Sequence, residues 1–357
     1  MKLSDLRTLG RSGLPVSPFA LGTMTFGNAA WGSTDDVSTA IFDAYIEAGG
    51  NFVDTADVYS SGRSEELLGR LIAERNLRDR VVLATKYAFN FDTGGDVDAA
   101  PSPLRGGSGR KNLHRALDDS LRRLGTDYVD LYWMHVWDGV TPAEEIVGAM
   151  GDLVKAGKIR YYGLSDVPAW FATRVATLAQ AHGAPAPIAL QMFYSLVERS
   201  VEREHIPAAR EQGMAMVPWS PLAYGLLTGK YSREDPKAAE SRLSGPNPFG
   251  ETLFTEANWN TVDALRAVAE TMGLSMSRVA LAWLLKKPGV GSVLLGARKV
   301  EQLQDNLAAL DVELSSETVA RLDAATGFDL GLYALSTPGS ALASGAMFAG
   351  ARVEGWR

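Results

Sequence analysis

Residues 112–135 read NLHRALDDSLRRLGTDYVDLYWMH, and the hydrophobic period changes inside this stretch. Leu113, Ala116, Leu117, Leu121 and Leu124 recur at three- and four-residue spacing, which predicts a helix over 112–124 with one apolar face. Gly125 ends it. Residues 129–135 then form a strand-type run that closes on His135. The same alternation extends in both directions. Candidate strands lie at 19–23, 51–54, 81–86, 129–135, 161–165, 188–191, 214–219 and 290–295. A helix over 34–48 begins near a capping-type pair, Ser33 with Asp36, and ends at Gly49-Gly50; another over 143–156 ends at Gly157. Eight βα units without a linker or charge shift between them predict an α/β fold, one (β/α)8 TIM barrel over 1–330. Residues 6–9 and 14–16, around Arg11-Ser12-Gly13, predict a β-hairpin that plugs the N-terminal end.

Three segments break the rhythm. Residues 90–110 and 223–256 are long polar loops after strands, on the face where barrel enzymes do chemistry. The tail 331–357, rich in Gly, Ala and Ser, is expected to pack on or near the barrel.

The chain has 357 residues, 46% of them hydrophobic, enough for a large core. Its 35 basic and 42 acidic residues give a net charge of −7, which argues against a nucleic-acid surface. Cysteine is absent, so disulfides, thiol nucleophiles and Cys-based metal sites are excluded. No apolar run suits a signal core or a membrane span, and the expectation is a cytoplasmic protein. The run at 106–111, GGSGRK, invites a phosphate-loop reading, but Asn112 follows Lys111 and the first glycine is missing. No G-x-G-x-x-G joins a strand to a helix, and the four histidines show no HExxH-type pairing.

Four residues at or just after strand ends carry chemistry: Asp54, Tyr59, Lys86 and His135. On a barrel rim they are neighbours. A lysine held by an aspartate and placed beside a tyrosine stabilises the tyrosinate and is expected to lower the phenol's pKa from about 10. Tyr59 can then act as a general acid, and His135 can direct a hydrogen bond at a substrate oxygen. Lys86 carries the most weight, because a lysine closing the run VVLAT has no obvious structural need.

With these residues in place, the chain resembles the aldo-keto reductases. The resemblance runs through GLPVSPFALGTMTFG, NFVDTADVYSSGRSEELLG, LATK, GRKNLHRALDDSLRRLGTDYVDLYWMH, GLSD, PWSPLAYGLLTGKY and LLGARKVEQLQDNL. It is nearest the bacterial branch that shares its pattern with voltage-gated potassium channel β subunits. The resemblance implies NADPH across the C-terminal rim, with Asp54, Tyr59, Lys86 and His135 as the catalytic tetrad. It implies that Ser165, Asp166 and Gln191 hold the nicotinamide carboxamide, although the family commonly has Asn where Asp166 stands. Trp219 matches the aromatic beneath the nicotinamide ring. Ser220, Pro221, Leu222, Gly225, Leu226 and Lys230 match a loop over the pyrophosphate, and Arg242 is placed beside the adenine. Gly296, Ala297, Arg298, Gln302 and Asn306 match the adenosine end, and Gly22, Thr23 and Met24 join the cofactor set. Arg298 and Lys299 favour NADP over NAD.

For substrate, Met24, Phe26 and Trp31, Tyr87 and Phe89, and Trp137 follow the first, third and fourth strands and predict an aromatic mouth for a hydrophobic carbonyl or alcohol. No metal is expected, and a homo-oligomer is allowed. The expected reaction is NADPH-dependent reduction of an aldehyde or ketone. The alternative is a slow-turnover, redox-sensing cofactor-binding subunit of the channel β type.

Overall fold

Short parallel strands form a ring whose order follows the chain. The structure, a computed structural model, describes residues 1–93, 102–234, 236, 250–330 and 349–351. A two-stranded antiparallel hairpin, β1 (Arg7–Thr8) and β2 (Pro15–Val16), comes first. The barrel strands are β3 (Phe19–Gly22), β4 (Phe52–Asp54), β5 (Val82–Tyr87), β6 (Val129–Met134), β7 (Ile159–Ser165), β8 (Ala189–Phe193), β9 (Ala215–Trp219) and β10 (Val293–Leu295). They pair in parallel in the order β10-β3-β4-β5-β6-β7-β8-β9. All eight predicted strands form, with shifted ends. The last starts at Val293 because Gly289–Gly291 turns aside to close the ring. Met216 N–H donates to the Gly289 carbonyl (2.8 Å), and Gly291 N–H donates to the Met216 carbonyl (2.9 Å).

Helices between the strands cover the outside, including Asp35–Glu47, Arg63–Glu74, Arg110–Leu124, Ala143–Lys155 and Ala169–Ala181. The helix predicted from the opening stretch ends as expected, with Gly125 in the left-handed region at φ +63°, where a side chain would be strained. The expected Ser33–Asp36 cap is corrected. Thr34 is the N-cap residue and makes no side-chain cap bond. The Ser33 N–H donates to the Thr25 carbonyl (2.8 Å), so Ser33 belongs to the loop after β3 rather than to the helix start. No described helix is long and apolar enough to cross a membrane.

Two apolar layers result. One lies between strands and helices; the other fills the barrel with Ala20, Phe52, Val82, Ala84, Leu131, Trp133, Ala189, Ala215 and Val217. Leu9, Leu14 and Val16 of the hairpin segment join this inner cluster. The Arg11 N–H donates to the Gly213 carbonyl (2.7 Å) and pins the turn. Burying three such side chains contributes roughly 5–8 kcal/mol at most, so the plug is a firm part of the barrel. The barrel therefore stays open at the opposite end. Residues 94–101, much of the loop 223–256 and nearly all of the tail 331–357 lie outside the described residues.

Candidate active site

The inward-facing residues continue one step above the packed core. Side chains alternate along a strand, so Ala20 leads to Gly22, Phe52 to Asp54, Ala84 to Lys86, Trp133 to His135, Ala189 to Gln191 and Val217 to Trp219. Register brings them level. Gly22 pairs with Asp54, Asp54 with Ala84, and Ser165 with Gln191. The polar residues thus form the top layer of the barrel interior, at the strands' C-terminal ends.

Lys86 and Asp54 are fully buried, and Lys86 Nζ donates to Asp54 Oδ1. The same ammonium donates to the Thr55 carbonyl (2.8 Å) and to Tyr59 Oη (3.2 Å). An ammonium has three N–H bonds and no lone pair, so these partners saturate it. Tyr59 Oη accepts from Lys86 and keeps its own proton for a group in the cleft. Gln191 Nε2 donates to the other Asp54 oxygen (3.2 Å). Two serines after Tyr59, Ser60 and Ser61, have φ +50° and +54°, a local strain of about 1 kcal/mol each. The Ser60 hydroxyl donates to the Phe26 carbonyl (2.8 Å) and holds this turn.

The electrostatics differ in one respect from expectation. Burial pushes the Tyr59 phenol up, and the Lys86 charge pulls it down without overcoming burial, so the net direction in the ligand-free cleft is upward. Burial also pushes Asp54 up against the pull of Lys86. Burial lowers Lys86, but Asp54 and Tyr59 outweigh it and hold the ammonium above its ordinary value. The three acceptors around Lys86 Nζ require its charged form. His135 is pushed well below the usual imidazole range, first by burial and then by Lys86, and is neutral at pH 7. Its ring packs edge-on against Tyr59 and Phe89, with centroids 5.8 and 4.7 Å apart.

Behind the tetrad lies a carboxyl pair, Asp57 and Glu65, that no sequence pattern singles out. Asp57 is 1% exposed, and neither oxygen has a hydrogen-bond partner among the described residues. Burial and the Glu65 charge push its carboxyl up to about 8. Glu65 is also buried, but it accepts from Thr85 Oγ1 (2.5 Å) and Arg123 Nε (2.6 Å).

Above the tetrad opens a cleft of about 990 Å³. Its lining includes Gly22, Met24, Trp31, Asp54, Tyr59, Phe89, His135, Ser165, Asp166, Gln191 and Trp219 near the tetrad. It continues through Ser220, Pro221, Leu222, Gly225 and Lys230 to Gly296, Ala297, Arg298, Gln302 and Asn306. Trp219 stacks on Phe193 (4.8 Å), and its indole N–H donates to Asp166 Oδ1 (3.0 Å). Asp166 has φ +45° and borders the cleft; desolvation pushes its carboxyl up to about 6, opposed by Trp219 and Lys86.

Several expected residues lie elsewhere. Tyr87 and Trp137 are corrected as mouth residues. Tyr87 sits one step past inward-facing Lys86, so the alternation sends it outward; it is fully buried, stacks on Tyr132 and donates to the Ser108 carbonyl (3.1 Å). Trp137 stacks on Phe171 (4.4 Å) and donates to the Thr141 carbonyl (2.9 Å). Phe26 and Leu226 are core residues. Thr23 lies behind the site, where its N–H and hydroxyl both donate to the Asp54 carbonyl (2.9 and 3.2 Å). Arg242 is outside the described residues.

The far end also contains acids that sequence reading missed. Glu301 and Asp305 line it, and Asp305 accepts from Arg278 Nε (2.8 Å) and Ser275 Oγ (2.8 Å). Glu301 and Asp305 lie four apart, as Gln302 and Asn306 do, on one helix, and that spacing was the available signal. Among the described residues, Lys230 and Arg298 are the lysine and arginine of the lining.

The arrangement suits a nicotinamide dinucleotide. Among the described residues, Ser165 Oγ is buried without a hydrogen-bond partner beside Asp166 and Gln191, as a carboxamide site requires. Gly225 has φ +94°, a conformation that strains any side chain, and the Lys230 ammonium lies against this turn. Gln302 Oε1 accepts from the Arg298 N–H (2.9 Å) and fixes the loop at the far end.

Comparisons with known proteins agree with this chemistry. The model of the aldo/keto reductase family matches residues 18–326. An aryl-alcohol dehydrogenase of Pestalotiopsis microspora is 37% identical over 321 residues, 88% of this chain and 80% of the relative. An aryl-alcohol dehydrogenase [NADP(+)] of Phanerodontia chrysosporium is 35% identical, covering 92% and 87% of the two chains. A norsolorinic acid reductase of Emericella nidulans is 36% identical, covering 90% and 80%. The chain therefore belongs to the aldo/keto reductase family, as an oxidoreductase of carbonyl and alcohol groups.

Proposed function

We propose that this protein interconverts an aromatic aldehyde or ketone and its alcohol with NADPH and NADP+, using Tyr59 as the acid in reduction. The observation that carries this reading is the saturated Lys86 ammonium, which leaves the Tyr59 proton facing the cleft. When bound, NADPH supplies the hydride. Tyr59 gives its proton to the substrate oxygen, and the adjacent Lys86 charge stabilises the tyrosinate left behind. Neutral His135 hydrogen-bonds the same oxygen and orients the carbonyl. In alcohol oxidation, the tyrosinate takes the proton back.

Arg298 supports NADPH over NADH, because it brings positive charge to the adenosine end of the cleft, where NADPH alone carries a 2′-phosphate. Met24, Trp31, Phe89 and Tyr224 give the mouth its apolar, ring-stacking character. The names of the aryl-alcohol dehydrogenases above support the aromatic substrate class. They do not favour the regulatory-subunit alternative. The barrel domain over 1–330 is part of this proposal; nearly all of the tail 331–357 lies outside the described residues.

The test follows NADPH absorbance with benzaldehydes, aryl ketones and aliphatic aldehydes, then with aryl alcohols and NADP+. Multiple turnovers with the aryl compounds are expected. Slow turnover on every substrate, with tightly retained cofactor, would overturn the enzymatic reading.

A further inference from the structure

We propose that the Asp166 carboxylate makes the cleft favour the oxidised nicotinamide over the reduced one, relative to a neutral amide at the same position. This rests on the nicotinamide reading above. A carbonyl held by Tyr59 and His135 must receive hydride from the neighbouring wall. That wall is formed by the ends of β7, β8 and β9, where Ser165, Asp166, Gln191 and Trp219 meet. Three of these are neutral. Asp166 brings a negative charge, and its position at φ +45° faces it to the cleft instead of continuing β7.

The oxidised ring carries one more positive charge than the reduced ring. A carboxylate beside it therefore discriminates between the two redox states, whereas an amide hydrogen-bonds both alike. Other charges facing this point do not cancel the effect. Lys86 on β5 is held by Asp54 on β4, Tyr59 is neutral, and His135 on β6 is neutral. Trp219 on β9 donates to Asp166 and keeps one carboxylate oxygen in place. The Asp166 charge helps raise the Tyr59 phenol's pKa, which places Asp166 within electrostatic range of the reacting centre.

Asp166→Asn is a conservative test, because asparagine tolerates the left-handed backbone at least as well as aspartate. Dissociation constants for NADP+ and NADPH are measured separately by calorimetry, without substrate, at pH 5 to 8. At pH 8 the ratio Kd(NADPH)/Kd(NADP+) should be about tenfold larger in the wild type than in the variant. As pH falls through about 6, Asp166 protonates, and the wild-type ratio should fall toward that of the variant. The variant's ratio should stay flat. Equal ratios at pH 8, or an unchanged pH dependence in the variant, would overturn the inference while leaving the cofactor assignment standing. Failure of the wild type to bind either nucleotide would overturn both.

Discussion

Asp57→Asn gives a direct reading of the carboxyl buried behind the tetrad. Among the described residues both Asp57 oxygens lack hydrogen-bond partners, and the group's pKa is raised to about 8 in the folded protein. In the unfolded chain it titrates near 3.9. Between roughly pH 4 and 8 the folded state therefore holds a proton that the unfolded state releases. The sign follows from linkage. Where the native state binds more protons, stability falls as pH rises, here by about 1.4 kcal/mol per pH unit for this one group. The Asp57 contribution is fully present below pH 4, is lost progressively up to pH 8, and levels off above it. From pH 5 to 7 the loss amounts to about 3 kcal/mol. Asparagine does not titrate. A constant cost of burying the amide moves the variant's whole curve but leaves its slope alone, and groups common to both proteins cancel. Urea unfolding followed by tryptophan fluorescence at pH 5, 6, 7 and 8 measures the difference. Variant minus wild type should rise by about 3 kcal/mol from pH 5 to 7. Parallel curves would refute the buried, protonated Asp57.

Three further outcomes are expected. Tyr59→Phe should lower kcat for carbonyl reduction by about 10²–10⁴ while NADPH dissociation, measured by fluorescence titration, stays within a few-fold; loss of cofactor binding would make Tyr59 structural. Lys86→Met leaves Asp54 buried without its cation and should destabilise the fold by about 3–5 kcal/mol in urea unfolding, whereas Asp54→Asn/Lys86→Met should recover part of that loss. Arg298→Ala should weaken NADPH binding about tenfold and NADH binding less than threefold, and equal losses would remove Arg298 from the 2′-phosphate.

The parts of this molecule that obey a period were readable in advance. Strand alternation runs from core to site without interruption, so Asp54, Lys86, His135, Gln191 and Trp219 could be found as polar endings of apolar runs. Lys86 stood out because nothing but a carboxylate partner explains an ammonium there. Tyr87 shows the same rule misapplied: chain proximity to Lys86 suggested the mouth, but adjacent strand residues face opposite sides. Phe26 and Trp137 were misread for a different reason. After a strand ends, loop geometry decides where an aromatic goes, and no period encodes it. The balance at Tyr59 was also beyond composition and spacing, because the desolvation that opposes Lys86 depends on how tightly the turn is covered. Ser33 looked like a cap until the Thr25 carbonyl claimed its N–H.

The hairpin stopper at the floor of the barrel has a consequence for traffic. Among the described residues, Leu9, Leu14 and Val16 close the floor and leave the opposite end as the doorway, so what enters there leaves by the same route. In such a dead-end chamber, the molecule lying against the floor has to arrive first and depart last. The polar wall nearest the tetrad is the deeper berth and the aromatic rim the shallower one. Steady-state kinetics should accordingly show a compulsory queue, with nucleotide leading in and trailing out, and with nucleotide release setting the pace whenever the rim empties quickly.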